Sequence, residues 1–262
     1  MGMLAIGTDF EYLVHDGKQV SSAIGLIGGS KDNPVWISDG NLQEDNLLAE
    51  VAINPCDTLH SFLWSIKHCT NHLSSTLSGQ GYSLVPDSTH YFTREFLMYE
   101  AGHNAMVMGC DPDLDAWTGE YFTSPSPYTE LRTAGAHVHF SYDNPTNLTT
   151  MRTVQLMDYV LGAWSVTVDV DKVRRNLYGK AGSFRMKSYG GEYRALSNFW
   201  VQSDELITEV YNRTKFCVDN PSVINLLLPE FSGGVVKEAI NTYNTRTCQS
   251  ICTLVNSLME AA

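Results

Sequence analysis

The chain has 262 residues, 17 Lys+Arg against 29 Asp+Glu, and a formal net charge of −12. At 43% hydrophobic and 18% charged residues it has the composition of a globular protein able to bury a sizeable core. The acidic balance argues against a nucleic-acid backbone or an anionic membrane surface as the main partner, since both would be repelled. Membrane spans need roughly 18 consecutive apolar residues, and Tyr159–Val168, the longest candidate, is too short. The start lacks a basic stretch leading into an apolar one, so no signal peptide is expected. Six cysteines (56, 69, 110, 217, 248 and 252) are scattered without a C-x-x-C pair, which fits reduced thiols and a cytoplasmic location.

In chain order, the first expected element is a strand over Met3–Val14, followed by a loop at Gly28-Gly29-Ser30 and a strand over Leu47–Ile53. A helix follows an Asp57 cap, with Leu59, Phe62, Leu63, Ile66, Leu73 and Leu77 at helical spacing and a stop near Gly79. Loops at Asp111-Pro112-Asp113 and Ser124-Pro125-Ser126-Pro127 precede a strand over Ala136–Tyr142 and a turn at Asp143-Asn144-Pro145. Val154, Met157, Val160, Leu161, Trp164 and Val168 predict a second helix, and Gly191–Ser197 reads as a strand. A third helix starts at Ser203 and carries Leu206, Ile207, Val210 and Tyr211. The last carries Val236, Ile240, Tyr243, Ile251, Leu254, Val255 and Leu258. Strands and helices do not alternate regularly, so the expected class is α+β, with a mostly antiparallel, twisted sheet covered by helices on one face.

Residues two apart in a strand share a face. By that rule Asp9 and Glu11 oppose Ile6, Phe10, Tyr12 and Val14. Glu50 opposes Leu47, Ala49, Val51 and Ile53. His137, His139 and Ser141 oppose Val138, Phe140 and Tyr142, and Glu192 shares a face with Arg194. A solvated sheet face accounts for any one of these patterns. Together they are unusual, because the polar positions are acids and histidines and no lysine falls within these runs. Clustered carboxylates repel unless a cation or proton lies between them. Hard oxygens with an imidazole suit Mg²⁺ or Mn²⁺, so the second sheet face is the expected active site.

The H-x-H pair also occurs in zinc hydrolases, but no histidine follows His139 to complete such a site. Arg174, Arg175, Lys180, Arg185, Lys187 and Arg194 form a basic cluster suited to phosphate, although Lys180 and Lys187 fit a solvated loop equally well. Gly25–Lys31 lacks the order of a P-loop. Asp111, Asp113 and Asp115 begin like a calcium loop that fails at Ala116 and Phe122.

Taken in order, several segments resemble the glutamine synthetase/γ-glutamylcysteine ligase superfamily, and within it the phage-type carboxylate–amine ligases (COOH–NH2 ligase type 2). They are Gly7-Thr8-Asp9-Phe10-Glu11, Gly28 through Pro34, Gln43-Glu44-Asp45-Asn46 with Glu50, and Gly109-Cys110-Asp111-Pro112-Asp113. Arg132 with Gly135-Ala136-His137-Val138-His139 follows, then Arg174-Arg175, Tyr178-Gly179, Gly182-Ser183-Phe184-Arg185 and Tyr189 through Arg194. The resemblance covers roughly residues 3–200. It implies one catalytic domain over 1–262 with a glutamine synthetase-like sheet and a helical part, 201–262, packing on it. It also implies ATP and Mg²⁺ (or Mn²⁺) as cofactors, and a host-cytoplasmic location if the chain is phage-encoded.

Carried over by position, Asp9, Glu11, Glu50, His137 and Glu192 would be metal ligands. Arg185 and Arg194, assisted by Arg174 or Arg175, would hold the γ-phosphate or a substrate carboxylate. Lys31 would contact nucleotide or substrate, and His139 would lie near the transferred phosphate. One departure is Asp9, where the superfamily often has Glu, a shorter side chain that would weaken or reposition one metal. The implied reaction joins a carboxylate to an amine through an acyl phosphate, the substrates being small molecules or peptides. The alternatives are a phosphotransferase of guanidino-kinase type and a catalytically degenerate binding or virion-associated protein.

Overall fold

Alternating apolar and polar side chains run through β1 (Ile6–His15), the central strand of the main sheet. The computed structural model describes residues 4–100, 102, 105, 112–123 and 129–262. Met3, Gly109-Cys110-Asp111 and Ser124-Pro125-Ser126-Pro127, used in the sequence reading, lie outside them. The other strands are β2 (Val20–Ser21), β3 (Val35–Ile37), β4 (Gly40–Asp45), β5 (Leu48–Ile53), β6 (Ser83–Val85), β7 (Thr89–Tyr91), β8 (Leu114–Asp115), β9 (Leu131–Thr133), β10 (Ala136–Ser141), β11 (Ser183–Lys187) and β12 (Gly190–Tyr193). Their order across the sheet is β3-β4-β5-β1-β10-β12-β11-β8. Neighbouring strands pair antiparallel, β2 and β6 also pair with β1, and β7 pairs with β9 in a separate ribbon. The protein is α+β.

The longer helices are α1 (Leu59–Ser78), α2 (Asn147–Met157), α3 (Ala163–Val168), α4 (Asp204–Asp219), α6 (Gly233–Asn241) and α7 (Thr245–Glu260), with a single turn, α5 (Ile224–Leu227), between α4 and α6. Phe62, Ile66, Cys69, Leu73 and Leu77 form the buried stripe of α1. Its cap is Thr58, not the expected Asp57: the Thr58 hydroxyl accepts from Ser61 N–H in a reciprocal capping box. α1, α2 and α4 cover one face of the sheet, where Phe10, Val51, Val138, Phe140, Phe184 and Tyr193 meet them. α6 and α7 pack on α3 and its preceding turn. None of the described helices is long and apolar enough to cross a membrane.

Three departures from the sequence reading have local causes. The second helical pattern is interrupted by a wide π turn at Asp158–Gly162. There the buried Asp158 carboxylate accepts from Trp117 Nε1 and Tyr193 OH. The last pattern is two helices, broken where Tyr243 takes φ 54° and Asn244 caps α7. Leu47 sits in the β4–β5 turn after Asn46 at φ 55°, which resets the alternation. It joins a second, smaller core with Leu13, Leu48, Phe92, Phe96 and Leu97.

Candidate active site

Strand register builds the site. Cα pairs join Asp9 to His137, Glu11 to Glu50, His139 to Glu192, and Glu192 to Arg185. Because side chains alternate along each strand, these pairs place carboxylates, imidazoles and a guanidinium side by side across β5, β1, β10, β12 and β11. They project on the face away from the helices. A cavity of about 740 Å³ lies over them, lined by Asp9, Glu11, Glu50, His137, Glu192 and Arg194, with Lys31, Arg174 and Arg185 on its walls.

At its centre the charges interlock. His137 Nδ1 lies 2.7 Å from Asp9 Oδ1 and 3.6 Å from Glu192 Oε1, and His139 Nε2 lies 3.2 Å from Asp9 Oδ2. Lys187 Nζ pairs with Glu192 Oε2 at 2.7 Å, while Arg194 donates to the other oxygen of the same carboxylate. Arg194 Nε and Arg185 Nε share Asp113 Oδ1 at 2.9 and 3.3 Å, and Ser183 Oγ donates to Asp113 Oδ2 at 2.7 Å. Asp113 therefore aims both guanidinium groups at the cavity.

The carboxylates divide into two electrostatic kinds. Burial works to raise Asp9, but His137 and His139 outweigh it and hold the acid well below the usual carboxylate range. Burial and Asp9 oppose ionisation of Glu192, yet Arg194, His137 and His139 bring it down to about 2. Glu11 has the opposite balance: burial, reinforced by Asp45, pushes it up to about 8. Glu50 is raised by burial and then by Asp9, Glu11 and Asp45. Burial lowers Arg174 to about 10 against the pull of Glu11, and Arg194 is raised, because Glu192, Asp113 and Asp9 together outweigh burial.

Donor chemistry fits a hard divalent cation. Asp9, His139 and Glu192 each offer one ligand atom, all within 4.8 Å of one another, and oxygen with imidazole nitrogen is a set that Mg²⁺ and Mn²⁺ accept. Glu11 and Glu50, which burial and neighbouring carboxylates push toward protonation, are where a further cation would relieve strain of charge. The triad contains His139, where the resemblance assigned His137. His139 stands beside the cavity rather than on its wall, with Nδ1 2.6 Å from Tyr189 OH.

Of the alternatives Arg174 and Arg175, only Arg174 lines the cavity. Arg175 turns elsewhere: Nη2 donates to Ser165 Oγ at 2.8 Å, Nε donates to Gly179 O, and the guanidinium lies 5.1 Å over the Tyr243 ring. Lys187, read as equally compatible with a solvated loop, holds Glu192. Asp113 and Tyr189 received no role from the sequence, although both fall inside segments that carry the resemblance.

Residues 119–250 match the family model described as phage phiEco32-like COOH.NH2 ligase-type 2. No curated protein matches the sequence. Among solved structures, the chain is similar to the cryo-EM structure of Plasmodium falciparum glutamine synthetase, at 10% identity and a TM-score of 0.39. That match covers 81% of this chain and 52% of the other, so the chain spans about half of that protein's length.

Proposed function

This chain belongs to the phage phiEco32-like COOH.NH2 ligase-type 2 family, and on that premise we propose that it is an ATP- and Mg²⁺-dependent ligase working through an acyl phosphate. The observation that carries the reading is the partition of one cavity. Carboxylates and an imidazole from β1, β5, β10 and β12 share one lining with Arg174, Arg185, Lys187 and Arg194.

A carboxylate resists attack by an amine in neutral water because an oxide is a poor leaving group. Transfer of the γ-phosphoryl of ATP to a carboxylate oxygen releases ADP and makes an acyl phosphate. The amine then attacks the acyl carbon, the C–O bond breaks, phosphate leaves, and the nitrogen loses a proton. Mg²⁺ or Mn²⁺, when bound by Asp9, Glu192, Glu11, Glu50 and the histidines, would offset the repulsion between carboxylate and triphosphate. Arg185 and Arg194, held by Asp113, face the transferred phosphoryl group and need little reorganisation as charge shifts there. Arg174 meets the acid substrate, and Lys31 at the rim meets the nucleotide.

Hydroxylamine tests the reading without knowledge of the natural amine. Purified protein with ATP, Mg²⁺, a panel of carboxylic acids and hydroxylamine should release ADP and form a hydroxamate from at least one acid. Glu192→Gln should lower both by at least about a hundredfold, the scale at which loss of a preorganised electrostatic group acts. A stable phosphorylated product with no hydroxamate would identify a phosphotransferase instead. Failure to bind ATP with Mg²⁺ in calorimetry would identify a binding protein.

A further inference from the structure

The turn joining β11 to β12 carries Tyr189, a residue with no part in the chemistry above. Its hydroxyl is 2.6 Å from His139 Nδ1, and the two rings lie nearly parallel, 27° apart, with centroids separated by 6.2 Å. The other ring nitrogen, Nε2, faces Asp9 Oδ2 at 3.2 Å, within the Asp9, His139 and Glu192 donor set. Each nitrogen of one imidazole thus meets a different kind of partner.

A neutral imidazole has one N–H and one bare nitrogen, and only the bare nitrogen binds a cation. The nitrogen bearing hydrogen then needs an acceptor, and that acceptor fixes both tautomer and ring angle. We propose that Tyr189 is a positioning residue whose hydroxyl accepts from His139 Nδ1–H, leaving Nε2 bare and turned toward Asp9 and Glu192 for a divalent cation. The inference rests on the cation-dependent reading of the site. His137 is placed differently: its Nδ1 lies among Asp9, Glu192 and Arg194.

The backbone holds Tyr189 in place for this task. Its carbonyl accepts from Tyr142 N–H at 3.2 Å, tying the turn to the end of β10. The following Gly190 adopts φ 152°, where a Cβ would fall 2.2 Å from Phe140 O, so the turn passes against β10 as only glycine allows. The tyrosine ring itself is 42% exposed, so removing its hydroxyl takes little from the core.

Mn²⁺ binding to the full chain, read from the electron paramagnetic resonance of the free ion, tests the assignment. Tyr189→Phe, which keeps the stacked ring, should weaken Mn²⁺ by roughly tenfold, the lower end of effects for outer partners of a ligand, with the metal-free melting temperature unchanged. In a His139→Ala background the same substitution should add nothing, since coupled residues are not additive. Equal affinity in Tyr189→Phe, a matching loss in the His139→Ala background, or a metal-free melting temperature that falls would each overturn the role. If the wild-type chain binds no Mn²⁺, the site reading falls with it; if it binds and Tyr189→Phe binds equally, only the role of Tyr189 falls.

Discussion

Asp9 and Glu11 are two residues apart on one strand, yet only Asp9 has imidazoles beside it. Burial, reinforced by Asp45, holds Glu11 near pKa 8, well above an ordinary glutamate. Below the ordinary value, folded and unfolded chains are both protonated there. As pH rises toward about 8 the unfolded glutamate ionises while the folded one keeps its proton, so stability is lost across that interval. Denaturant titrations in chelator at pH 5, 7 and 8.5 should show wild-type stability falling by about a few kcal/mol, and Glu11→Gln should flatten the slope. A wild-type slope no steeper than that of Glu11→Gln would refute the burial argument. The adjacent arginines offer a second contrast. Arg175→Met should cost roughly 1–3 kcal/mol by stripping partners from Ser165 and Gly179, with nucleotide affinity unchanged. Arg174→Met should lower ligase activity instead, and the reverse pattern would reassign the pair. Sequence types named most of these residues, but not which of Arg174 and Arg175 turned inward, because that depends on where Gly179 and Ser165 lie.

Elements were legible where period and cap agreed. The apolar stripe of α1 and the Ser203 start of α4 follow from side-chain spacing and one hydroxyl. The expected cap is Asp57, and the Thr58 bond to Ser61 N–H moves it by one residue. Thr58→Ala should therefore lower stability by about 1 kcal/mol, and Asp57→Ala should leave it within experimental scatter, as thermal or denaturant unfolding would show. β11 lies within the basic cluster and has no strand assignment from sequence, although Phe184 and Met186 alternate with Arg185 and Lys187. A strand of five residues gives too short a period to stand alone, and its pairing with β12 supplies what sequence spacing lacks. The β11–β12 hairpin accordingly depends on Gly190. Gly190→Ala puts a Cβ against Phe140 O, and should lower both the melting temperature and Mg²⁺-dependent turnover; a variant that melts and turns over normally would show that the turn can move.

At the scale of the molecule, strand parity placed Asp9, Glu11, Glu50, His137, Glu192 and Arg194 on one face, whereas strand order was beyond it. Which strands become neighbours is decided by contacts between distant segments, and Asp113 enters the site only because β8 reaches β11. The surplus of acid concentrated on that face predicts cation-linked stability. At a hundred times its Kd, a bound ion adds about 2.7 kcal/mol. For a chain of this size, that is a rise in melting temperature of roughly 5–10 °C, measurable by calorimetry with Mg²⁺ against chelator. No shift with either Mg²⁺ or Mn²⁺ would argue that the carboxylates are simply protonated. The central place of β1 has a kinetic consequence as well. Asp9 meets His137 across 128 residues, and Glu192 arrives only when the β12 hairpin docks on the far side of β10. Loop closures of that span are slow to form, so cation affinity should emerge with the last refolding phase, after helical circular dichroism has recovered, making ion binding a clock for the completion of the sheet.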